Sequence, residues 1–186
     1  MKSINEYIQE KLIINSLQEK LVIKKKSNNG YKYFPQTKKE LKDIILQRIK
    51  TEGNEVDLND IDVSKITDMS TLFWGTDFNG DISAWDVSNV TNMDSMFCEC
   101  TKFNSNISTW DVSNVTNMSH MFYWCEVFNQ DISTWDVSNV TNMEGMFYSC
   151  KNFNKDISNW DVSNVSNRKQ IFGYCLIEEK YKPKFK

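Results

Sequence analysis

From Phe78 to Cys175 the hydrophobic and polar positions recur every 25 residues. The third copy reads Phe128-Asn129-Gln130-Asp131-Ile132-Ser133-Thr134-Trp135-Asp136-Val137-Ser138-Asn139-Val140-Thr141-Asn142-Met143 and ends in Met146-Phe147 and Cys150. One period carries Trp85 onto Trp110, Trp135 and Trp160, and Cys100 onto Cys125, Cys150 and Cys175. A fixed period of this length marks stacked repeats, each burying its apolar face against its neighbours. Within a copy, Ile82, Trp85, Val87, Val90 and Met93 predict short extended pieces broken at the polar Ser88-Asn89 corner. The Met96-Phe97 pair and Cys100 are spaced at three and four residues, which suits a single helical turn or a 3₁₀ piece. The expected fold is an α/β repeat whose coils stack about 4.8 Å apart through a parallel β ladder.

The same pattern divides the chain. An incomplete first coil, Ile61 to Phe73, precedes the four full copies, so five coils are expected over 58–176. Residues 1–57 read as an N-terminal capping region of α-helical or α+β character. Capping boxes at Ser3-Ile4-Asn5-Glu6 and Thr37-Lys38-Lys39-Glu40 predict helices over about 4–16 and 38–51. The second helix presents Leu41, Ile44, Ile45 and Ile49 on one face and closes at Gly53. Between them, residues 20–24 fit a helix end or a short strand, and Tyr31 to Phe34 reads as a strand stopped by Pro35. Helix 38–51 suits a cover for the first coil, and the Lys-rich 177–186 suits a C-terminal cap.

Stacking makes ladders of like residues. Ile, Trp, Val and Phe columns are expected in the core, and Asn89, Asn114, Asn139 and Asn164 at the corner. There an Asn can be left-handed and bond the next coil's backbone. Asp86, Asp111, Asp136 and Asp161 stack like charges unless each carboxylate is occupied. A local bond to the N–H of Ser88, Ser113, Ser138 or Ser163 is one way, and a cation-binding edge another.

The run W-D-V-S-N-V-T-N-M-x-x-M-F-x-x-C-x-x-F-N, as in Trp110 to Asn129, resembles the repeat of the BspA-like leucine-rich-repeat surface proteins. The resemblance covers about 58–176. It implies a right-handed leucine-rich-repeat-like solenoid acting in adhesion or protein binding, displayed at the cell surface, with no enzymatic activity.

Charge narrows the partner. Lys and Arg outnumber Asp and Glu 12 to 6 over residues 1–52, whereas the acids lead 17 to 6 over residues 53–176. Acidic repeats repel phosphates, so nucleic acid binding through them is not expected. There is no apolar run long enough to span a membrane, so no membrane insertion is expected. The N-terminus carries acidic residues where a signal peptide is apolar, so the chain as written reads as cytoplasmic.

The candidate chemistry is sparse. Cys100, Cys125, Cys150 and Cys175 lie on one ladder and read as small buried hydrophobes rather than disulfides. A zinc site from Cys98, Cys100, Cys125 and His120 can be drawn, but Cys98-x-Cys100 is a poor clasp. His120 occupies a varying position and has no partnered nucleophile, so no catalytic residue, metal or cofactor is expected. Recognition therefore falls to positions where the repeat varies, among them Glu99/Trp124/Ser149/Tyr174 and Asp94/Ser119/Glu144/Lys169. Trp124, Tyr123, Tyr148 and Tyr174, with Glu99 and Glu144, are the candidate binding residues of a monomeric protein-interaction module. The alternatives are a BspA-like surface adhesin and, more weakly, a metal-binding or enzymatic role through the Asp or Cys ladders.

Overall fold

The computed structural model describes residues 30–185, so the helix expected over about 4–16 lies outside the described residues. Helix α1 spans Lys38–Glu52. Thr37 is its N-cap and accepts from the Glu40 amide at 3.2 Å, while Glu40 reaches back to the amide of Gln36 at 2.7 Å. The reciprocal capping bond thus lands one residue earlier than a strict capping box. At the far end the Gly53 amide donates to Ile49 at 2.9 Å with φ at 93°. Leu41, Ile44 and Ile45 are buried and join the same apolar core as the coils.

Tyr31 to Phe34 does not form a strand. Tyr33 makes one isolated parallel bridge to Ile61, flanked by Lys32 N–H to Asp60 O at 2.7 Å and Asp62 N–H to Tyr33 O at 2.9 Å. The Arg48 guanidinium secures this join, bonded to Asp60 at 2.9 Å and lying 5.3 Å over the Tyr33 ring.

The repeats do stack, but the expected parallel β ladder is absent. Among the described residues there is one α-helix, one 3₁₀ turn at Glu179–Tyr181 and no strand. The coils meet in isolated bridges through Asp68, Asn92, Asn117, Asn142 and Asn167, one position per coil. The reason is how the amides are spent. In each coil Trp85 donates to Ile82, Val90 to Val87 and Phe103 to Cys100, or their equivalents, at 2.8–3.3 Å. Amides used in such local turns cannot also enter a ladder between coils. The chain is therefore not a parallel β-ladder, leucine-rich-repeat-like solenoid but a pile of turn-rich coils.

The helical turn expected at Met96 to Cys100 is also replaced. Ser95 and Glu99 have φ of 55° and 62°, and the same positions are left-handed in every coil. A right-handed helix excludes that sign of φ. Met96, Cys98 and Cys100 donate back within the coil to Met93, Ser95 and Phe97 at 3.2, 3.2 and 3.0 Å. The alternate amides of Met93, Ser95, Phe97 and Glu99 turn outward and donate to Asn117, Ser119, Met121 and Tyr123 of the next coil at 2.7–3.0 Å.

The core follows the side-chain columns. Phe73, Phe97, Phe122, Phe147 and Phe172 form one ring stack with centroids 5.3–5.8 Å apart. Inside each coil the next Phe closes on it, Phe97 to Phe103 at 3.9 Å and Phe122 to Phe128 at 4.0 Å. Each Trp indole N–H of the buried column donates to a main-chain oxygen one coil back, Trp110 to Ile82 and Trp135 to Ile107, both at 3.2 Å. These rings thus bury area and satisfy their one donor together.

The first full copy has a local demand of its own. A Cβ on Gly80 would fall 2.0 Å from the Val56 carbonyl oxygen, although Ser105, Gln130 and Lys155 fill that column elsewhere. Gly80→Ala is expected to destabilise the protein by about 1–3 kcal/mol through backbone displacement. Lys155→Ala is expected to stay within about 0.5 kcal/mol. Urea unfolding midpoints measure both.

Candidate partner-binding face

The left-handed turns build one face of the stack. Two columns alternate on it. One holds Trp74, Cys98, Tyr123, Tyr148 and Gly173, and the other Gly75, Glu99, Trp124, Ser149 and Tyr174. The second column is left-handed throughout, with φ between 52° and 69°. The outward row of amides in this run sets the pitch at which the side chains repeat.

Of the sequence-derived candidates, Tyr123, Tyr148 and Tyr174 come together. Tyr123 and Tyr148 stack at 4.7 Å and 9°, and Tyr174 meets Tyr148 edge-on at 5.2 Å. A Cβ at Gly173 would sit 2.5 Å from the Tyr148 ring, so glycine there lets the ring lie against the backbone. Trp124 is 46% exposed and Tyr174 76% exposed, and Glu99 is exposed between coils of the same column. Glu144 stands apart from the strip. It is half-buried and accepts from Asn167 Nδ2 at 2.9 Å. His120 is half-buried with its ring 5.5 Å from that of Tyr123 and its Nδ1 3.9 Å from Asp94 Oδ1. Trp74, 56% exposed, extends the strip and was not singled out by sequence.

The ladders that looked most like chemistry are spent on architecture. Asp86 and Asp111 each accept from the amide and hydroxyl of Ser88 and Ser113, at 3.0–3.1 Å and 2.6 Å. Asp136 and Asp161 accept from Ser138 and Ser163 N–H at 3.0 Å. The Ser113 hydroxyl and amide hold the Asp111 carboxyl below its ordinary pKa. Those of Ser138 do so for Asp136, against a smaller opposing push from Asp111 and Asp161. Asn89, Asn114, Asn139 and Asn164 bond Ser64, Ser88, Ser113 and Ser138 carbonyls of the preceding coil at 2.7–2.9 Å. None of these four is left-handed, because the sharp reversal lies in the Ser95 and Glu99 columns instead. A second polar ladder escaped the sequence reading. Asn79 and Asn104 each accept the amide of the next coil's Asn at 2.8 Å, which the invariant Phe-Asn pairs signalled.

The thiols of Cys100, Cys125 and Cys150 donate to Phe73, Phe97 and Phe122 carbonyls at 2.8–2.9 Å, and all five cysteines are free. Burial pushes Cys98 up to about 11 and Cys100 to about 12, and raises Cys125 and Cys150 well above the ordinary value. Among the described residues no group of three or more His, Cys, Asp or Glu is placed to hold a metal ion. No helix among them is long and apolar enough to cross a membrane.

A family profile described as "Mycoplasma protein of unknown function, DUF285" matches residues 42–133 and again 110–177. No curated protein and no solved structure matches the chain.

Two outcomes test these assignments. At neutral pH the buried thiols are protonated, so iodoacetamide is expected to leave Cys100, Cys125 and Cys150 unlabelled until the protein is unfolded. Peptide mass mapping reads this. A lowered carboxyl pKa contributes stability above the unfolded value near pH 4 and loses it as pH falls through the folded value. Ser113→Ala is therefore expected to move the Asp111 titration upward toward its ordinary range, followed by carboxyl-carbon NMR.

Proposed function

The chain belongs to the family described as Mycoplasma protein of unknown function, DUF285, and on that premise we propose that it is a non-enzymatic protein-interaction module. Its recognition face is the strip of Trp74, Tyr123, Trp124, Tyr148 and Tyr174. One observation carries the reading: the constant apolar columns are buried, whereas Glu99, Trp124 and Tyr174 of one varying column are exposed on a repeating backbone. Exposed Trp and Tyr held in place lose little entropy on binding and are favoured anchors of protein interfaces. Tyr148 has its faces covered by Tyr123 and Gly173 and meets Tyr174 edge-on, so the cluster presents ring edges rather than an open face. That geometry suits a protein surface better than a sugar ring seeking an open aromatic face. The non-enzymatic part of the reading rests on the Asp and Cys ladders, whose polar atoms serve bonds within and between coils.

The second reading is a BspA-like surface adhesin. It is favoured by the W-D-V-S-N-V-T-N-M repeat and by the overlap of this family with BspA-like repeat proteins. In that case the same strip would face a host or neighbouring-cell protein. Surface proteolysis of intact cells separates the readings, since an adhesin is cleaved there and an internal module is spared.

The strip is tested by affinity capture from the native source with the wild type and the Trp124→Ala/Tyr174→Ala double variant. A loss of about tenfold or more in captured partner, with an unchanged melting temperature, is expected for hot-spot residues. Full retention by this variant, with loss in variants of the exposed face of α1, would place the binding surface elsewhere.

A further inference from the structure

We infer that the outer edge of the last coil is a docking site for an acidic, extended peptide segment of a partner protein. In the preceding coils, alternate turn amides each find a carbonyl in the coil that follows. His120, Phe122 and Trp124 donate to Glu144, Met146 and Tyr148 at 2.7, 3.0 and 2.8 Å. Gly145, Phe147 and Ser149 donate to Lys169, Ile171 and Gly173 at 2.9, 2.9 and 2.7 Å. The equivalent amides of the last coil belong to Gln170, Phe172 and Tyr174, and these meet no acceptor among the described residues. Gln170 and Tyr174 keep the left-handed φ of 53° and 52° that aims such amides away from their own coil. Three donors at two-residue spacing form a template for the carbonyls of an extended backbone.

Among the described residues nothing caps this donor row. The tail crosses the end of the last coil, with Ile157 N–H donating to Tyr181 O at 3.0 Å, Glu178 N–H to Asn154 Oδ1 at 2.9 Å and the Phe185 ring 5.2 Å from the Arg168 guanidinium, and none of its described carbonyls accepts from the three amides. At the first coil α1 lies over the turn run, with Lys38 bonded to Ser70 and Asp68 and Lys42 donating to Thr71 O at 2.8 Å. A second copy would have to bring that covered end to the open one, so self-stacking is disfavoured.

Charge selects the occupant. The edge and the tail beside it carry Arg168, Lys169, Lys180, Lys182 and Lys184 against Glu178 and Glu179. Pairing of Glu178 with Lys180 and of Glu179 with Lys182 leaves a basic excess of three. Lys182 Nζ lies 5.6 Å over the Phe172 ring, which brings a cation to the donor row itself. Tyr174 and Leu176, 76% and 73% exposed, add apolar area for alternate side chains of the segment. An acidic strand with apolar residues between its carboxylates meets all three features. This edge shares Tyr174 with the aromatic strip, and responses of the Gln170 and Phe172 amides, which lie outside the strip, distinguish the two.

The test is an amide NMR titration of the full chain with a short blocked peptide alternating glutamate and valine, and with its lysine-for-glutamate counterpart. The glutamate peptide is expected to shift the amides of Gln170, Phe172 and Tyr174 and slow their hydrogen exchange. Arg168→Glu/Lys169→Glu is expected to weaken binding about tenfold or more. Added salt should weaken the wild-type complex, a charge test that needs no folded variant. The inference is overturned if the three amides do not move, or if the lysine peptide moves them equally. It is also overturned if they move with protein concentration alone, which would assign the edge to a second copy.

Discussion

Each coil divides its turn amides between itself and its neighbour, and the rest of the fold depends on that division. Met96, Cys98 and Cys100 close tight turns inside the coil, while Met93, Ser95, Phe97 and Glu99 reach the coil that follows. The alternation requires left-handed residues at fixed places, and most of those residues are not glycine. A left-handed L-residue costs on the order of 1–2 kcal/mol. That cost is offset because each such residue aims an amide at a carbonyl that would otherwise be buried without a partner. Removing the left-handed turns would leave both rows unpaired at once.

The side-chain columns are consequences of this backbone pitch. Repeating coils bring each Phe face to face with its copy at 5.3–5.8 Å, within the range of favourable ring stacking. Polar columns survive the same proximity because each is given an internal bond. Asp takes the Ser two residues on, Asn takes a carbonyl of the preceding coil, and Cys takes a buried main-chain oxygen. Like charges stacked at this pitch would be costly if left bare. The groups that resemble metal or catalytic clusters in one dimension are thereby tied up in three.

The same backbone explains the proposed interaction surfaces. Side chains in the left-handed column project outward from the turn run, so Trp124 and Tyr174 are exposed. At the last coil the outward amides continue beyond the final acceptor. The strip and the edge are two results of one conformation, the first carried by side chains and the second by main chain.

By itself the sequence determined the repeat, the Ile, Trp, Val, Phe and Cys columns, and α1 with its Thr37 cap and Gly53 stop, and it offered the nearby serine, beside a cation, as the occupant of each corner aspartate. These are local or periodic properties, and a 25-residue register makes them visible. Only the tertiary structure decided that the coils are turns rather than strands and helical turns. Spacings of three and four residues are shared by a helical turn and by successive tight turns, and the sign of φ that separates them is set by where the next coil's carbonyls lie. It also decided which varying residues face solvent. Glu99 is exposed, whereas Ser149 in the same column is buried and Glu144 is bonded to Asn167, because each depends on the neighbour stacked against it.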